Sequence, residues 1–272
     1  VSLLLLPLYT NRIPPNEYGN YGLVISVINL IIPLIFFQIW DGVFRYSFDY
    51  KDKENKYIIF YNGLIVMIIS SFAFLLFYLM FSFFKNFENK FIILLYSLSI
   101  GFHYFYGVLA RSVQDNVVFV FSGCINSIIT IVLNIVLILF FNKGIEALYI
   151  SSVIGTLIQI IIIEFKLKTF SNYKKDYFNL TIIKKLMAFS APLSLTTISY
   201  WLLSGLTQLV ISLRIDTYAN GLYNVANKFS SLLILLIGVF DLHGMRWHIY
   251  FIIIKIKNYT ITRQLLKYLD FQ

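Results

Sequence analysis

Charged residues are scarce in this sequence. Asp, Glu, Lys and Arg make up 13% of its 272 residues, whereas 59% are hydrophobic, and the mean hydropathy is +0.78. A soluble globular domain carries roughly 25% charged residues, so this chain could not cover its surface for water. The shortage of charge excludes an ordinary soluble fold and favours a protein that is solvated by lipid.

Motifs for disulfides and for enzymatic chemistry are also missing. The single cysteine, Cys124, lies in an apolar run and has no second cysteine to pair with. There is no Gly-x-x-x-x-Gly-Lys phosphate loop, so the chain is not itself an ATPase. No Ser/His/Asp or Cys/His arrangement occurs, and His243 and His248 lack acidic or cysteine neighbours that would complete a metal site. We therefore expect no enzyme activity, no cofactor and no metal.

Long hydrophobic runs are abundant instead. A helix needs about 20 mostly apolar residues to cross a bilayer. An apolar run at Val1–Tyr9 is too short and is interpreted as the end of a first span. Seven further stretches are long enough: Tyr21–Phe44, Ile58–Phe84, Phe91–Ala110, Val117–Phe141, Glu146–Phe165, Met187–Leu213 and Ala219–Phe240. We predict an all-α, polytopic helical bundle with about eight transmembrane helices.

The net charge of +9 is carried mainly by short loops between the apolar runs. This placement suits an anionic membrane face better than nucleic acid. Alternate loops hold eleven and five Lys and Arg residues, the eleven lying in the loops Arg45–Tyr57, Arg111–Asn116 and Lys166–Lys185. Loops rich in Lys and Arg remain in the cytoplasm. We therefore predict that these three loops are cytoplasmic.

The longest basic loop divides the chain into parts. We predict a first transmembrane lobe, a cytoplasmic linker, the start of a second lobe and an atypical basic tail, at residues 1–165, 166–185, 186–240 and 241–272. A weak repeat supports two lobes, because Gly19 and Tyr21 match Gly221 and Tyr223 six spans later. A repeat separated by an even number of spans is a parallel one.

Three predicted spans carry polar residues at helical spacing. They are Ser122, Asn126, Thr130 and Asn134; then Ser190, Ser194, Thr197, Trp201, Ser204 and Gln208; then Asn220, Asn224, Asn227 and Ser231. Such stripes either join membrane helices or line a watery cavity, and the pattern leaves both interpretations open. Lys228 lies well inside its span and favours a cavity or an anionic ligand. Asp41 and Arg45 are spaced to pair along one helix face.

Five motifs together resemble one family. They occur in the expected order over about 240 residues, at Pro7–Thr10, Pro15–Tyr21, Asp41–Tyr46, Phe189–Leu193 and Gly221–Lys228. The chain resembles the Wzx-type polysaccharide-biosynthesis (O-antigen) flippases of the multidrug/oligosaccharidyl-lipid/polysaccharide exporter superfamily. It departs from many relatives at Thr207-Gln208, where they carry an Asp-Arg pair, and the likeness stops after Phe240.

The resemblance implies a fold of twelve or more helices in two lobes around a central cavity. It implies transport of an undecaprenyl-diphosphate-linked oligosaccharide across the bacterial cytoplasmic (inner) membrane for surface polysaccharide assembly. The expected partners are this lipid-linked substrate, membrane lipid and other polysaccharide-assembly membrane proteins, with no nucleic acid. The candidate substrate-binding residues of the cavity are Arg45, Lys228, Asn224, Asn227, Asp41 and Arg111.

Two other functions remain open. One is a multidrug antiporter of the same superfamily, which would favour buried acidic residues in the first lobe. The other is a membrane polymerase or glycosyltransferase of the same pathway, although the longest outer loop has only eleven residues, Thr10–Asn20. Because Val1 is not an initiator Met and the likeness stops after Phe240, we also expect the chain to be a fragment of a longer transporter, with a tail that is read out of frame.

Overall fold

A computed structural model describes residues 3–50, 52–84, 89–113, 115–172, 174–231 and 233. These residues form helices joined by short turns and contain no β-strand, which confirms the predicted all-α membrane fold. The helices are α1 Leu6–Arg12, α2 Pro15–Ile35, α3 Ile39–Ser47, α4 Lys53–Phe84, α5 Lys90–Ser112, α6 Asn116–Leu139, α7 Ile145–Leu167 and α8 Leu180–Arg214. Residues 217–231 are also helical.

Six of these helices, α2 and α4 to α8, are long and apolar enough to cross a membrane. Helices α4 to α8 each correspond to one predicted span. The short first run Val1–Tyr9 overlaps α1, with its first two residues outside the described ones. The predicted span Ala219–Phe240 is helical as far as residue 231, and most of its remainder lies outside the described residues, as does the predicted tail.

The predicted span at Tyr21–Phe44 is confirmed as far as Ile35, but it is not one continuous helix, because the helix breaks between Ile35 and Ile39. Helix α2 ends at Ile35 and α3 begins at Ile39, while Phe37 and Gln38 have φ values of 51° and 48°. Pro33 lies inside α2 near its end. The helix closes after this point, because the backbone N–H of Gln38 donates to the Pro33 carbonyl at 2.8 Å instead of continuing the helical pattern. A hydropathy profile does not detect this break, because most of the residues around it are apolar.

The predicted linker at residues 166–185 is shorter than expected, because α7 continues to Leu167 and α8 begins at Leu180. Only residues 168–179 connect these two helices, and they dock against α4. The fully buried Asn62 of α4 donates from Nδ2 to the carbonyl of Tyr177 at 2.7 Å. Its Oδ1 accepts from the backbone N–H of Asn179 at 2.9 Å. The side-chain amide of Asn62 therefore anchors the last three residues of the linker to α4 through two hydrogen bonds.

The ends of several helices meet on the membrane side where this linker lies, which we call the linker face. Lys56 near the start of α4 donates to the carbonyl of Ser112 at 2.8 Å. The Tyr57 hydroxyl lies 3.1 Å from the carbonyl of Leu167, to which it donates. The start of α4 and the ends of α5 and α7 therefore share one face, as the predicted alternation of loops requires.

The chain divides into two compact units, residues 1–224 and 225–272. The first unit has an apolar core in which α3, α4 and α5 meet. Val43, Phe60, Met67, Phe105 and Leu109 are almost fully buried there. In the second unit the described residues, 225–231 and 233, are helical.

Candidate functional site

The polar stripe of α8 faces α2 and α3 and forms what we call the polar seam. The Trp201 indole Nε1 donates to the backbone carbonyl of Ser26 at 2.9 Å and lies 3.1 Å from its hydroxyl. Ser26 Oγ in turn donates to the carbonyl of Gly205 at 3.3 Å. Hydrogen bonds therefore cross between α2 and α8 in both directions, deep within the apolar spans.

The helix break brings a second polar group into the seam. Thr197 of α8 donates to Gln38 Oε1 at 3.1 Å, and Gln38 Nε2 donates to Asp41 Oδ2 at 2.6 Å. Gln38 sits in the left-handed conformation between α2 and α3. Its amide thus connects α8 to the half-buried carboxylate of α3. The sequence pattern placed Gln38 three residues before Asp41 but did not include it among the candidate binding residues, and the break is what places its side chain here.

Three buried polar atoms of α8, on Ser190, Gln208 and Ser212, have no hydrogen-bond partner among the described residues. Ser190 Oγ is fully buried at Gly42, where an added Cβ would overlap it. Gln208 Oε1 is likewise without a partner among the described residues. Buried polar atoms in proteins are normally paired, and an unpaired one costs about 1–3 kcal/mol. The seam therefore contains buried hydrogen-bonding groups that no described residue pairs with.

Arg45 does not pair with Asp41 as its spacing predicted. Its Nη1 lies 2.9 Å from Oδ1 of Asp49, one turn further along, and its side chain is 55% exposed. Lys185 of α8 lies 3.5 Å from the same carboxylate and 4.2 Å from the ring centre of Tyr46. The hydrogen bond from Arg45 lowers the pKa of Asp49, and both cations add to this effect. Arg45 thus belongs to a cationic cluster on the linker face.

Arg111 lies closer to the interior than Arg45. Its guanidinium is 5.1 Å from the ring centres of both Phe44 and Phe119, and its Nε donates to the carbonyl of Gly107 at 3.3 Å. It is also near enough to Asp41 to attract that carboxylate electrostatically. Of the predicted cations, Arg111 rather than Arg45 therefore accompanies Asp41.

Asn224, at the end of the first unit, packs against α2. It is 6% exposed, and a Cβ added to Gly22 would overlap its amide. Its Nδ2 has no hydrogen-bond partner among the described residues. Asn227 and Lys228 lie in the second unit, on one helical segment, and are partly exposed. Their predicted role in a cavity stays a prediction.

Gly19 and Gly221, the two glycines of the predicted repeat, contact each other near the membrane face opposite the linker face. A Cβ on Gly19 would overlap the carbonyl oxygen of Thr217 and lie 2.8 Å from the Gly221 nitrogen. A Cβ on Gly221 would overlap the carbonyl oxygen of Pro15. The contact is reciprocal, because Pro15 precedes Gly19 by four residues, as Thr217 precedes Gly221. Asn220 reinforces it by donating to the Gly19 carbonyl at 2.8 Å.

The stripe of α6 has a different role from that of α8. Asn126 Nδ2 donates to Gln159 Oε1 at 2.7 Å, and Asn134 Nδ2 donates to Ser151 Oγ at 2.6 Å, both on α7. Gly155 allows this close approach, since a Cβ there would overlap Asn126 and its neighbour one turn on. Of the two open interpretations, helix–helix contact is therefore the one that holds for α6.

A family model described as "Polysaccharide biosynthesis protein" matches residues 1–240. The chain belongs to this polysaccharide biosynthesis protein family. The predicted resemblance to Wzx-type flippases of the exporter superfamily is thereby confirmed. No curated protein and no solved structure matches the chain significantly.

Membership of the polysaccharide biosynthesis protein family indicates the process in which the polar seam takes part. The protein takes part in polysaccharide biosynthesis as a multi-pass membrane protein. Among the residues that the structure describes, no three His, Cys, Asp or Glu side chains are grouped as metal ligands would be. The chemistry available in the seam is that of amides, hydroxyls, one indole and one carboxylate, with cations toward the linker face.

Proposed function

We propose that the protein translocates a lipid-linked oligosaccharide across the bacterial cytoplasmic membrane for surface polysaccharide assembly. The observation that carries this proposal is the polar seam between α2, α3 and α8 in a member of a polysaccharide biosynthesis family. Polar groups inside a membrane are costly and are retained where they serve packing or a pathway. The seam differs from the α6 stripe because it includes a carboxylate, Asp41, and lies at a break between two helices.

The side chains of the seam suit a sugar in chemistry. The Gln38 amide, the Thr197 hydroxyl and the Trp201 indole supply donors, acceptors and one flat apolar surface. Sugar hydroxyls need both donors and acceptors, so amides are well matched to them. Moving the sugar into the seam would replace its hydration by these groups.

Cations would hold the diphosphate of such a substrate. Arg45 and Lys185 share one carboxylate, Asp49, so this cluster on the linker face carries an excess positive charge. Charge-assisted hydrogen bonds from Arg to phosphate are among the strongest that proteins make. We include Arg111 in the proposed binding set.

Movement would follow alternating access, in which one group of helices rocks against another about a central site. The crossing of Gly19 and Gly221 would keep the seam closed on the face opposite the linker. In this proposal, the break between α2 and α3 would serve as the hinge between the two halves of this span.

Two adjacent threonines of α8 provide a matched test. Thr197→Val removes the hydroxyl that bonds to Gln38, whereas Thr196→Val removes one that bonds only to the Leu193 carbonyl of its own helix. In the native host, lipid-linked oligosaccharide should accumulate in the inner leaflet with Thr197→Val. Surface polysaccharide should fall at unchanged protein abundance, and Thr196→Val should behave as wild type. Equal export by the two variants would contradict the proposal.

A multidrug antiporter is the second candidate, and Asp41 is the observation that favours it. The carboxylate is half-buried at the seam, where a cationic drug could pair with it. Asp41→Asn would then raise the sensitivity of cells to cationic drugs. Under the flippase proposal, the same substitution leaves drug sensitivity unchanged.

A further inference from the structure

Two aromatic side chains stack on each other where α3 begins, next to the helix break. The ring centres of Trp40 in α3 and Tyr104 in α5 are 5.2 Å apart, and the rings are inclined by 28°. Trp40 is only 6% exposed, whereas Tyr104 is 45% exposed. The buried indole therefore supports a phenol side chain of which much of the surface remains open.

This stacked pair borders the carboxylate of the polar seam. Trp40 directly precedes Asp41 in α3. On α5, Arg111 follows Tyr104 by about two helical turns, so the two side chains leave the same face of that helix. Arg111 contacts the Phe44 ring and attracts Asp41 electrostatically. The face of α5 that carries Tyr104 is therefore the face turned toward α3 and Asp41.

The hydroxyl of Tyr104 argues against contact with lipid. It has no hydrogen-bond partner among the residues that the structure describes. Ser112, the last residue of α5, follows Tyr104 by about 12 Å of helix at 1.5 Å per residue. Tyrosines in membrane proteins favour the interfaces, where the hydroxyl reaches water. An open tyrosine this far from the end of its helix therefore favours a polar space beside the ring.

An open aromatic ring next to a carboxylate matches the two kinds of surface on a pyranose sugar. One face of such a sugar presents C–H groups that pack on an aromatic ring, and its hydroxyls surround the edge. Asp41 Oδ2 already accepts from Gln38 at 2.6 Å. Because an ionised carboxylate has about four acceptor positions, Asp41 can also accept from a sugar hydroxyl. Ligand sites commonly combine aromatic walls with a few placed polar groups in this way.

We propose that Tyr104 is the platform on which one sugar ring of the transported oligosaccharide stacks, with Asp41 accepting a hydroxyl at the edge of that ring. This inference rests on the function proposed above and adds a residue to its binding set. The ring of Tyr104 fits any pyranose with an open C–H face, so it supplies affinity for the sugar part of the substrate. It contributes nothing to the affinity for the lipid part.

Three substitutions provide the test. Tyr104→Leu removes the aromatic surface, and Tyr104→Phe keeps the ring but removes the hydroxyl. Phe72→Leu is the control, because it removes a ring of α4 that is 62% exposed and has exposed apolar neighbours. The probes are the lipid-linked oligosaccharide extracted from the native host and a polyprenyl diphosphate without sugar, each titrated into the purified protein in nanodiscs.

The effect should be confined to the sugar-bearing probe. Tyr104→Leu should weaken the binding of the lipid-linked oligosaccharide by about 3- to 10-fold and leave the binding of the sugar-free lipid unchanged. Tyr104→Phe and Phe72→Leu should bind both probes as the wild-type protein does. If Tyr104→Phe loses as much affinity as Tyr104→Leu, the hydroxyl rather than the ring binds the sugar, and the stacking role is wrong.

The remaining outcomes separate this inference from the proposed function. If Tyr104→Leu binds both probes as the wild-type protein does, or loses affinity equally for both, Tyr104 is not the platform and the transport proposal still stands. A loss confined to tetraphenylphosphonium, an aromatic cation, would assign the ring to drug binding instead. If the wild-type protein binds neither probe, both proposals fail.

Discussion

The crossing of Gly19 and Gly221 predicts a large effect from a single methyl group. In Gly19→Ala, the new Cβ would overlap the Thr217 carbonyl oxygen and lie 2.8 Å from the Gly221 nitrogen. Non-bonded carbon atoms pack best at a separation of about 3.5–4.0 Å. The two helix backbones must therefore move apart by more than about 1 Å to accommodate the new Cβ. Overpacking of this kind costs about 1–3 kcal/mol. In Gly19→Ala, the free energy of the state in which the two helices touch should rise by that amount relative to a state in which they have separated.

Thiol labelling can measure this opening. Asn224→Cys, in a background with Cys124→Ala, places a buried thiol beside Gly22, where the amide it replaces has an unpartnered Nδ2. A shift of 1–3 kcal/mol toward the opened crossing should raise the rate of labelling about 5- to 150-fold. Gly19→Ala should therefore label much faster than the parent protein.

A second glycine supplies the control. A Cβ added to Gly123 of α6 meets no atom within 4 Å. Gly123→Ala changes helix propensity in the same way without touching a neighbour, so its labelling rate should equal that of the parent. If Gly19→Ala and Gly123→Ala label at the same rate, the crossing does not hold this end of the seam closed.

Three further outcomes are expected. Cysteines at Asn55 and Asn172 should be shielded from an impermeant thiol reagent in whole cells, whereas one at Asn142 should label; the reverse pattern would contradict the predicted orientation. Asn62→Ala should destabilise the protein by about 1–3 kcal/mol and expose the linker at residues 168–179 to protease, because it strands buried backbone groups. Asn126→Leu should lower stability by only about 0.6–1.7 kcal/mol without altering export, as expected for one hydrogen bond between membrane helices; lost export at normal abundance would argue against a packing role.

The sequence predicted the transmembrane helices well because hydrophobic length is a direct requirement of the bilayer. Helices α4 to α8 each correspond to one predicted span. It could not predict the break at Phe37 and Gln38, since backbone conformation leaves hydropathy unchanged. The start of α8 was also missed: Leu180 lies among lysines, and the Asn179 side chain that caps this helix falls inside a stretch that composition alone assigns to a loop.

The candidate site was only partly predictable. Helical spacing correctly placed the stripes of α6 and α8 on single faces, but it could not say which helix each face meets. Arg45 lies four residues from both Asp41 and Asp49, so spacing alone could not choose between them. In the structure it pairs with Asp49, the more exposed carboxylate. Gln38 was noted beside Asp41 but left out of the candidate site, and its role could not be predicted because it depends on a φ of 48°. Spacing defines neighbours along one helix, whereas a site is assembled between helices.

The Gly19–Gly221 contact also bears on how such a chain could have originated. Each glycine touches the carbonyl four residues before the other, which is the arrangement of an isologous dimer interface. A half-length ancestor with one such glycine would make this contact by pairing with a second copy of itself. Gene duplication and fusion would then preserve this contact while freeing each copy to diverge, and Ser26 and Lys228, each seven residues after its glycine, would be one such diverged pair.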